Sequence, residues 1–406
     1  MEEPNIEQLR MLSFSLFHSA DALQPRYIVA ELLSALTTGP RIKLLRGFRG
    51  VGKTTAMLQA FGQYQKEALY FSADSPIVKE YGIYKTGRTA VRSGFTLLFI
   101  DEVHTYPEWK GEIKVLHDEF PVLRIIASGS APLALVPERR EELICLHECS
   151  LTEFVYLKKA KTITSTTEWK NKESAMKLVA AEQTMETDFH AYMKTGGFPL
   201  SVTLGEEHAL NAIYHSIRKS IREDAVFFLK MSKEKIFAME NLLNMLATSK
   251  PGELNITSLA SSLHVSKTVI YEIIDALANM EIIRVMRPYA HGASLVRAEP
   301  KLLFFHPNMR FAVCKQLGIA PESGAVREEL AVFGFSERGW KIFTIKGEKK
   351  SPDYVVVRGE EKHVVEIGGA GKGAKQLKGF EDGLVLSEYQ LIPLLLVAKS
   401  SKNEQK

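Results

Sequence analysis

Eight consecutive residues, Gly47-Phe48-Arg49-Gly50-Val51-Gly52-Lys53-Thr54, fit the phosphate-loop pattern G-x-x-x-x-G-K-[ST] without a mismatch. Each residue type has a chemical reason to be there. Glycines 47, 50 and 52 allow tight turns that aim several backbone N–H groups at one point. The following helix adds the positive end of its dipole, so Gly47 to Thr55 forms a cradle for phosphate oxygens. Lys53 is placed to reach the β- and γ-phosphates, and the Thr54 hydroxyl to hold Mg²⁺. The pattern predicts a nucleoside-triphosphate site.

A second cluster of chemically capable residues lies downstream, where the apolar run Phe95–Ile100 ends in Asp101-Glu102. A continuous apolar run closed by two carboxylates predicts a central parallel strand whose C-terminal tip enters an active site. Asp101 is then a Mg²⁺ partner, directly or through water, opposite Thr54. Glu102 is the group that polarises a water for attack on the γ-phosphate. Leu123–Ala127 reads as the next strand and leads to Ser128, whose hydroxyl serves either as a contact to phosphate or water or as a helix cap. Arg139 and Arg140 follow in a polar turn, read either as solvated charges or as an arginine finger for a neighbouring subunit, which would require a homo-oligomer.

These elements need a scaffold. Ile42, Leu44 and Leu45 predict a short strand before the loop, and Met57, Leu58 and Phe61 a helix after it. Ile6–Leu36 reads as two helices joined around Pro25, and Ala68–Phe71 as a second strand. The segments GFRGVGKTT, LLFIDEVHTYPEW and IIASGS resemble the prokaryotic AAA-type ATPases whose C-terminal half is a domain of unknown function. Leu151-Thr152-Glu153-Phe154 and Gly196-Gly197-Phe198-Pro199 extend the likeness, the first as a turn. The resemblance implies an AAA-like core, a helical lid, a winged helix and a nuclease-like C-terminal fold. It also implies ATP as the nucleotide and Ser128 as a sensor of its γ-phosphate.

Beyond the core the residues speak for themselves again. Glu168–Met231 reads as helices broken at Gly196–Pro199, with Arg218, Arg222 and Asp224 on a solvated face. Asn255–Pro288 reads as a helix-turn-helix: Leu259 and Leu263 on the first helix, Val265-Ser266 at the turn, Val269, Ile273 and Leu277 on the second, and Ile282–Met286 as a wing strand. Lys267 near its start is offset by Glu272 and Asp275, so both double-stranded DNA and a protein remain open as partners. In the last hundred residues a helical Glu328, a strand Asp353 and a strand Glu366 follow the order of restriction-endonuclease-like metal nucleases. Gly368 stands where the lysine of that pattern belongs, with Lys372 or Lys375 as substitutes from the next helix and Gln376 where some relatives place a polar residue, which points to a degenerate second metal site. Cys145, His147 and Cys149 alternate as on one strand face, read as buried packing in preference to a soft-metal trio.

Composition sets outer bounds. The chain has 406 residues, 45% hydrophobic and 25% charged, and a net charge of +4. That length calls for several domains, and the small charge permits a basic face without requiring nucleic acid. Three cysteines cannot build a disulfide framework, and no apolar run reaches membrane-spanning length, so a cytoplasmic protein is expected. Leu391–Ala398 suits a buried strand. The fold expected is α/β: an AAA-like P-loop core with a parallel sheet over 1–150, a helical lid over 151–235, a winged helix over 236–298 and a restriction-endonuclease-like domain over 299–406. Three functions fit: a Mg²⁺-dependent ATP-hydrolysing switch, an ATP-gated DNA nuclease using Glu328, Asp353 and Glu366, and a nucleotide-sensing DNA- or protein-binding regulator.

Overall fold

The computed structural model describes residues 3–38, 42–132, 135–163, 168–252, 254–289, 299–345, 352–368, 377, 380 and 383–397. Lys372, Lys375 and Gln376 lie outside them. The chain divides into two compact units, Met1–His147 and Glu148–Lys406.

The first unit begins with helices α1 (Ile6–Asp21) and α2 (Ile28–Ala35), followed by β1 (Ile42–Arg46), α3 (Lys53–Phe61), β2 (Ala68–Ser72), α4 (Pro76–Arg92), β3 (Leu97–Asp101), α5 (Trp109–Glu119), β4 (Arg124–Gly129) and β5 (Glu141–Cys145). The five strands form one sheet in the order β2-β3-β4-β1-β5, every neighbouring pair parallel. Sheets covered on both faces need strands that are apolar throughout, and Leu97, Leu98, Phe99 and Ile100 are all fully buried. Because β3 lies between β2 and β4, its C-terminal tip meets the ends of both. β1 lies beyond β4 and delivers the phosphate loop to the same edge. The strand after residue 141 stops at Cys145, where Leu146 donates its N–H to Arg46 O at 2.7 Å. Cys145, His147 and Cys149 therefore do not share a strand face.

The second unit opens with α6 (Leu151–Lys159), α7 (Lys172–Ala181), α8 (Met185–Ala191), a π turn at Tyr192–Gly196, α9 (Leu200–Thr203), α10 (Glu206–Lys219) and α11 (Ala225–Leu229). The segment 151–154, expected as a turn, is the first turn of α6, because Ser150 caps it by accepting the Glu153 N–H at 3.2 Å. Next come α12 (Lys233–Thr248), α13 (Ile256–Ser262) and α14 (Lys267–Asn279), whose cap Ser266 accepts from Val269 N. Strands β6 (Ile283–Met286) and β7 (Lys301–Phe304) pair antiparallel. The strand expected to open a separate domain at 299 is thus hydrogen-bonded to the one that ends the helix-turn-helix. After α15 (Pro307–Leu317) and α16 (Ser323–Glu337), strands β8 (Lys341–Thr344), β9 (Tyr354–Arg358), β10 (Glu361–Ile367) and β11 (Gly383–Leu386) form a mixed sheet ordered β11-β10-β9-β8. The apolar stretch from Leu391 is helix α17 (Glu388–Leu395), not a strand. Ser387 and Gln390 close a capping box at its start, and residues 391–395, buried on every side, are apolar on every face.

One buried ion pair ties this unit together. Arg310 on α15 and Glu329 on α16 have side chains 1% and 0% exposed. Arg310 donates to both Glu329 oxygens and to the carbonyls of Leu246 (2.8 Å) and Ala247 (3.0 Å). Glu329 also accepts the Phe304 N–H at 2.9 Å, so α12, β7, α15 and α16 meet on one pair of charges. Removing one partner strands the other in a dry interior, at about 3–5 kcal/mol. Arg310→Met should cost that much in urea unfolding followed by the fluorescence of Trp169 and Trp340 in a Trp109→Phe background. Arg310→Met/Glu329→Leu should recover much of the loss.

Candidate functional site

The phosphate loop leaves β1 and is shaped by its glycines. Gly50 and Gly52 have φ of 85° and 95°, the left-handed region that side chains resist. Gly47 is required for a different reason: a Cβ there would sit 2.1 Å from the carbonyl oxygen of Leu146. Phe48 and Val51 are buried and anchor the loop between those turns. Arg26, from the segment joining α1 and α2, donates to Val51 O at 2.5 Å and His147 O at 3.0 Å, holding the loop from behind. Gly52 caps α3 without a side chain, which leaves the first N–H groups of the helix facing the cradle. Lys53 is 4% exposed and donates to Gly47 O and Phe48 O, both at 2.9 Å.

Asp101 closes the site from the strand side. Its carboxylate is 1% exposed and takes four donors. Oδ2 accepts from Thr54 Oγ1 at 2.6 Å and from the Tyr70 hydroxyl at 2.9 Å. Oδ1 accepts from Ser128 Oγ and from the Glu102 N–H at 2.9 Å. Burial and the neighbouring Asp101 charge drive the Tyr70 hydroxyl far above its ordinary range, so it stays a donor. Ser128 is fully buried with its hydroxyl committed to Asp101, where the sequence had left a phosphate contact or a helix cap.

The residue at this strand edge that faces Glu102 is Ser130, whose hydroxyl donates to Glu102 Oε1 at 3.0 Å. Glu102 itself has φ 51° and ψ 36°, a left-handed conformation costing a non-glycine residue about 1–3 kcal/mol. A single 3₁₀ turn, Val103–Thr105, then folds the chain back so that His104 Nδ1 lies 3.1 Å from Glu102 Oε2 and Nε2 lies 3.3 Å from Arg49 Nη2. Tyr70, His104, Ser130 and Arg26 escaped the sequence reading. Only the histidine carried a local cue, two residues past Glu102; the others come from segments that the pattern alone does not bring near.

The remaining candidates fall elsewhere. β5 runs parallel to β1 with Ile42 opposite Glu141, so Arg139 and Arg140 precede β5 at the sheet edge opposite Thr54 and Asp101. Arg140 pairs with Asp118, and both arginines line a surface cleft with Lys110, Lys114 and His117. In the second unit, Arg218 and Arg222 keep an exposed face and converge there on Glu240 of α12, Arg222 through 2.7 and 3.1 Å bonds, whereas Asp224 is buried. Glu272 is paired with Lys235 on the exposed side of α14.

Among the described residues, no three His, Cys, Asp or Glu side chains form a group able to hold a metal ion. Glu328, Asp353 and Glu366 nevertheless lie close together, the Asp353 charge acting on the Glu328 carboxyl. Glu328 is paired with Lys301 and accepts the Tyr354 hydroxyl at 2.6 Å. Glu366 accepts the Asp353 N–H at 3.2 Å, and Asp353 accepts the Ile367 N–H at 2.8 Å. Backbone amides, the Lys301 ammonium and the Tyr354 hydroxyl are among the partners of these carboxylates.

Residues 39–154 match the family model described as an AAA domain. The AAA match spans β1, the phosphate loop and the Asp101-Glu102 strand. Residues 186–321 match a domain of unknown function, DUF8612. An uncharacterized protein of Methanocaldococcus jannaschii is 26% identical over 369 residues, covering 83% of this chain and 78% of the relative. Among solved structures, the Thermotoga maritima RuvB Holliday junction branch migration motor is 15% identical over 72% of this chain and 93% of its own, with a TM-score of 0.31. Domain III of the T. maritima replication initiation protein DnaA is also 15% identical, over 54% and 90%, with a TM-score of 0.28. Among the described residues, no helix is long and apolar enough to cross a membrane.

Burial, and next the Asp101 charge, raise the Glu102 carboxyl above the usual carboxylate range; Lys53, the Ser130 hydroxyl and Arg49 act against them. A carboxyl raised on folding is held protonated more tightly in the folded state than in the unfolded chain. Its ionisation therefore costs stability above the folded pKa, and the cost vanishes below the unfolded value of about 4.3. Glu102→Gln should raise the melting temperature of the first unit by a few degrees at neutral pH. The gain should shrink as the pH is lowered through the raised pKa, which thermal melts across the acidic range would reveal.

Proposed function

We propose that this protein is a Mg²⁺-dependent ATP-hydrolysing switch. The observation that carries the reading is the 2.6 Å bond between Thr54 of the phosphate loop and Asp101 of β3, with Glu102 as the next residue. The AAA match over residues 39–154 supports the same assignment. In this reading Gly47, Phe48, Arg49, Gly50, Val51, Gly52, Lys53, Thr54 and Thr55 cradle the phosphates. ATP as the preferred nucleotide follows from the family resemblance.

The donor set suits the cation. Thr54 offers a hydroxyl oxygen beside a buried carboxylate whose four contacts are all neutral donors, an oxygen environment fitted to Mg²⁺ held through Thr54 and, by way of water, Asp101. Mg²⁺ would supply charge neutralisation on the phosphates. Lys53, now on two loop carbonyls, has an ammonium ready to move to a phosphate oxygen. Glu102 accepts a proton from the attacking water, a task suited to a carboxyl that burial raises above the usual carboxylate range. Ser128 keeps Asp101 oriented, and Arg139 is the available cation for a neighbouring subunit's site in a homo-oligomer.

The second unit is the element that the switch acts through. We read residues 236–298, extended by β7, as a winged helix, supported by the α13–α14 turn and the β6–β7 pairing. The 299–406 region is read as a degenerate restriction-endonuclease-like fold, supported by its mixed four-stranded sheet and by Gly368 standing where the lysine of that pattern belongs. Its partner is double-stranded DNA or a protein.

Steady-state ATP hydrolysis by wild type and Glu102→Gln, with and without double-stranded DNA, tests the reading. Turnover should require Mg²⁺ and fall about 10²–10⁴-fold in Glu102→Gln while nucleotide binding persists. Stimulation by DNA would select DNA as the partner. Binding without turnover in wild type under both conditions would refute the hydrolytic switch.

A further inference from the structure

The four donors around Asp101 leave open which of them makes way for a water held by a cation. We propose that the Tyr70 phenol is the donor that yields, so that Tyr70 sets how tightly the Thr54–Asp101 pair holds a divalent ion. This rests on the proposed Mg²⁺ role of Thr54 and Asp101.

An ionised carboxylate offers about four lone-pair positions, two on each oxygen. On Asp101 the hydroxyls of Thr54 and Tyr70 take Oδ2, at 2.6 and 2.9 Å. Ser128 Oγ and the Glu102 N–H take Oδ1. A water shared between the cation and Asp101 therefore has to displace one protein donor. The two oxygens are not equivalent for that purpose. With Thr54 as the cation's own ligand, a water beside it meets Oδ2 first. Oδ2 is the oxygen that Tyr70 shares with Thr54.

The donors also differ in their freedom to leave. The Glu102 N–H belongs to the peptide that follows Asp101 and is fixed by the backbone. Ser128 is fully buried and bound to the other oxygen. Tyr70 is held by its backbone: its carbonyl accepts Ser13 Oγ at 2.6 Å, and it lies opposite Phe99 where Ser72 lies opposite Asp101. Residues two apart share a face of the sheet, so Tyr70 stands on the same face as Asp101, one step back along the neighbouring strand. The phenol reaches Asp101 across that diagonal. Its O–H turns about the C–O bond with the ring in place, so the bond to Oδ2 is released without moving either strand. A neutral donor that competes for the carboxylate weakens the hold on a cation without adding charge to the site.

Tyr70→Phe removes the hydroxyl and keeps the ring. Mn²⁺ titrations of the ADP-bound full chain, followed by electron paramagnetic resonance, should show Mn²⁺ held about 3- to 10-fold more tightly in Tyr70→Phe than in wild type. ADP affinity in EDTA should be the same in both, which also reports that the variant is folded. Ser128→Ala opens a position on Oδ1 and should give no such gain. Unchanged or weaker Mn²⁺ binding in Tyr70→Phe, or an equal gain in Ser128→Ala, would overturn the role of Tyr70. Thr54→Ala tests the underlying assignment separately and should weaken Mn²⁺ binding about 10-fold or more. Wild-type Mn²⁺ affinity in Thr54→Ala would remove the Thr54–Asp101 metal site itself, and the proposal with it.

Discussion

A carboxylate buried at the tip of a central strand is tolerated only when its lone pairs are filled, and Asp101 meets that condition with donors from four different parts of the first unit. Thr54 comes from the first turn of α3, Tyr70 from β2, Ser128 from β4, and the N–H of Glu102 from the chain just past β3. The strand order makes this possible, since β3 has β2 on one side and β4 on the other. Register follows too: a one-residue slip of β3 would turn the carboxylate to the other face and leave three hydroxyls without their acceptor. One ionised group thus fixes the relative position of a helix and three strands, and that arrangement is the geometry that a phosphate site needs.

The phosphate loop is held just as closely from its other side. Gly47 lies against the Leu146 carbonyl with no room for a side chain, and Arg26 bridges the carbonyls of Val51 and His147. A change in the loop is therefore felt at residues 146 and 147, the last of the first unit. In the second unit the first residues are held by hydrogen bonds of their own. Cys149 donates its N–H to Gly197 O at 2.7 Å, Tyr192 donates to Cys149 O at 2.9 Å, and Asn308 accepts the Gly197 N–H at 2.7 Å. The neutral His306, its pKa lowered to about 3 by burial and by Arg284, sits 3.2 Å from the Tyr192 hydroxyl. The Gly196–Pro199 motif is the point where the incoming chain is gripped, which accounts for its close glycines: a Cβ on Gly197 would strike the His306 ring at 2.6 Å.

Much of this was legible in the sequence, for identifiable reasons. Buried parallel strands must be apolar along their whole length, so Ile42–Leu45 and Phe95–Ile100 stood out, and the phosphate loop has a chemistry too specific to arise without its strand and helix. The helix-turn-helix was legible because Ser266 marks its turn and the apolar positions keep helical spacing. Leu391–Ala398 misled because an apolar run records burial, not secondary structure; the deciding signal was the capping pair Ser387 and Gln390 before it. The ring of donors around Asp101 was not legible at all. Tyr70, Ser130 and Arg26 are ordinary residues whose role arises from long-range pairing, and no local pattern records which strand ends will be neighbours.

The two carboxylate groups of the chain show how the same residue types diverge when their partners differ. Around Asp101 every direct contact is a neutral donor, and the nearby Lys53 ammonium rests on the carbonyls of Gly47 and Phe48. Around Glu328 the logic is reversed. Lys301 meets the carboxylate directly and lies 4.6 Å from the centre of the Tyr354 ring, while Tyr354 donates to the same carboxylate. Burial raises the Glu328 carboxyl and the ammonium opposes that, so this group is neutralised within the fold. A divalent ion arriving there would have to displace the paired ammonium and break its contact with an aromatic face. The first cluster is built from neutral donors around one carboxylate, whereas in the second an ammonium and a phenol meet the carboxylate directly.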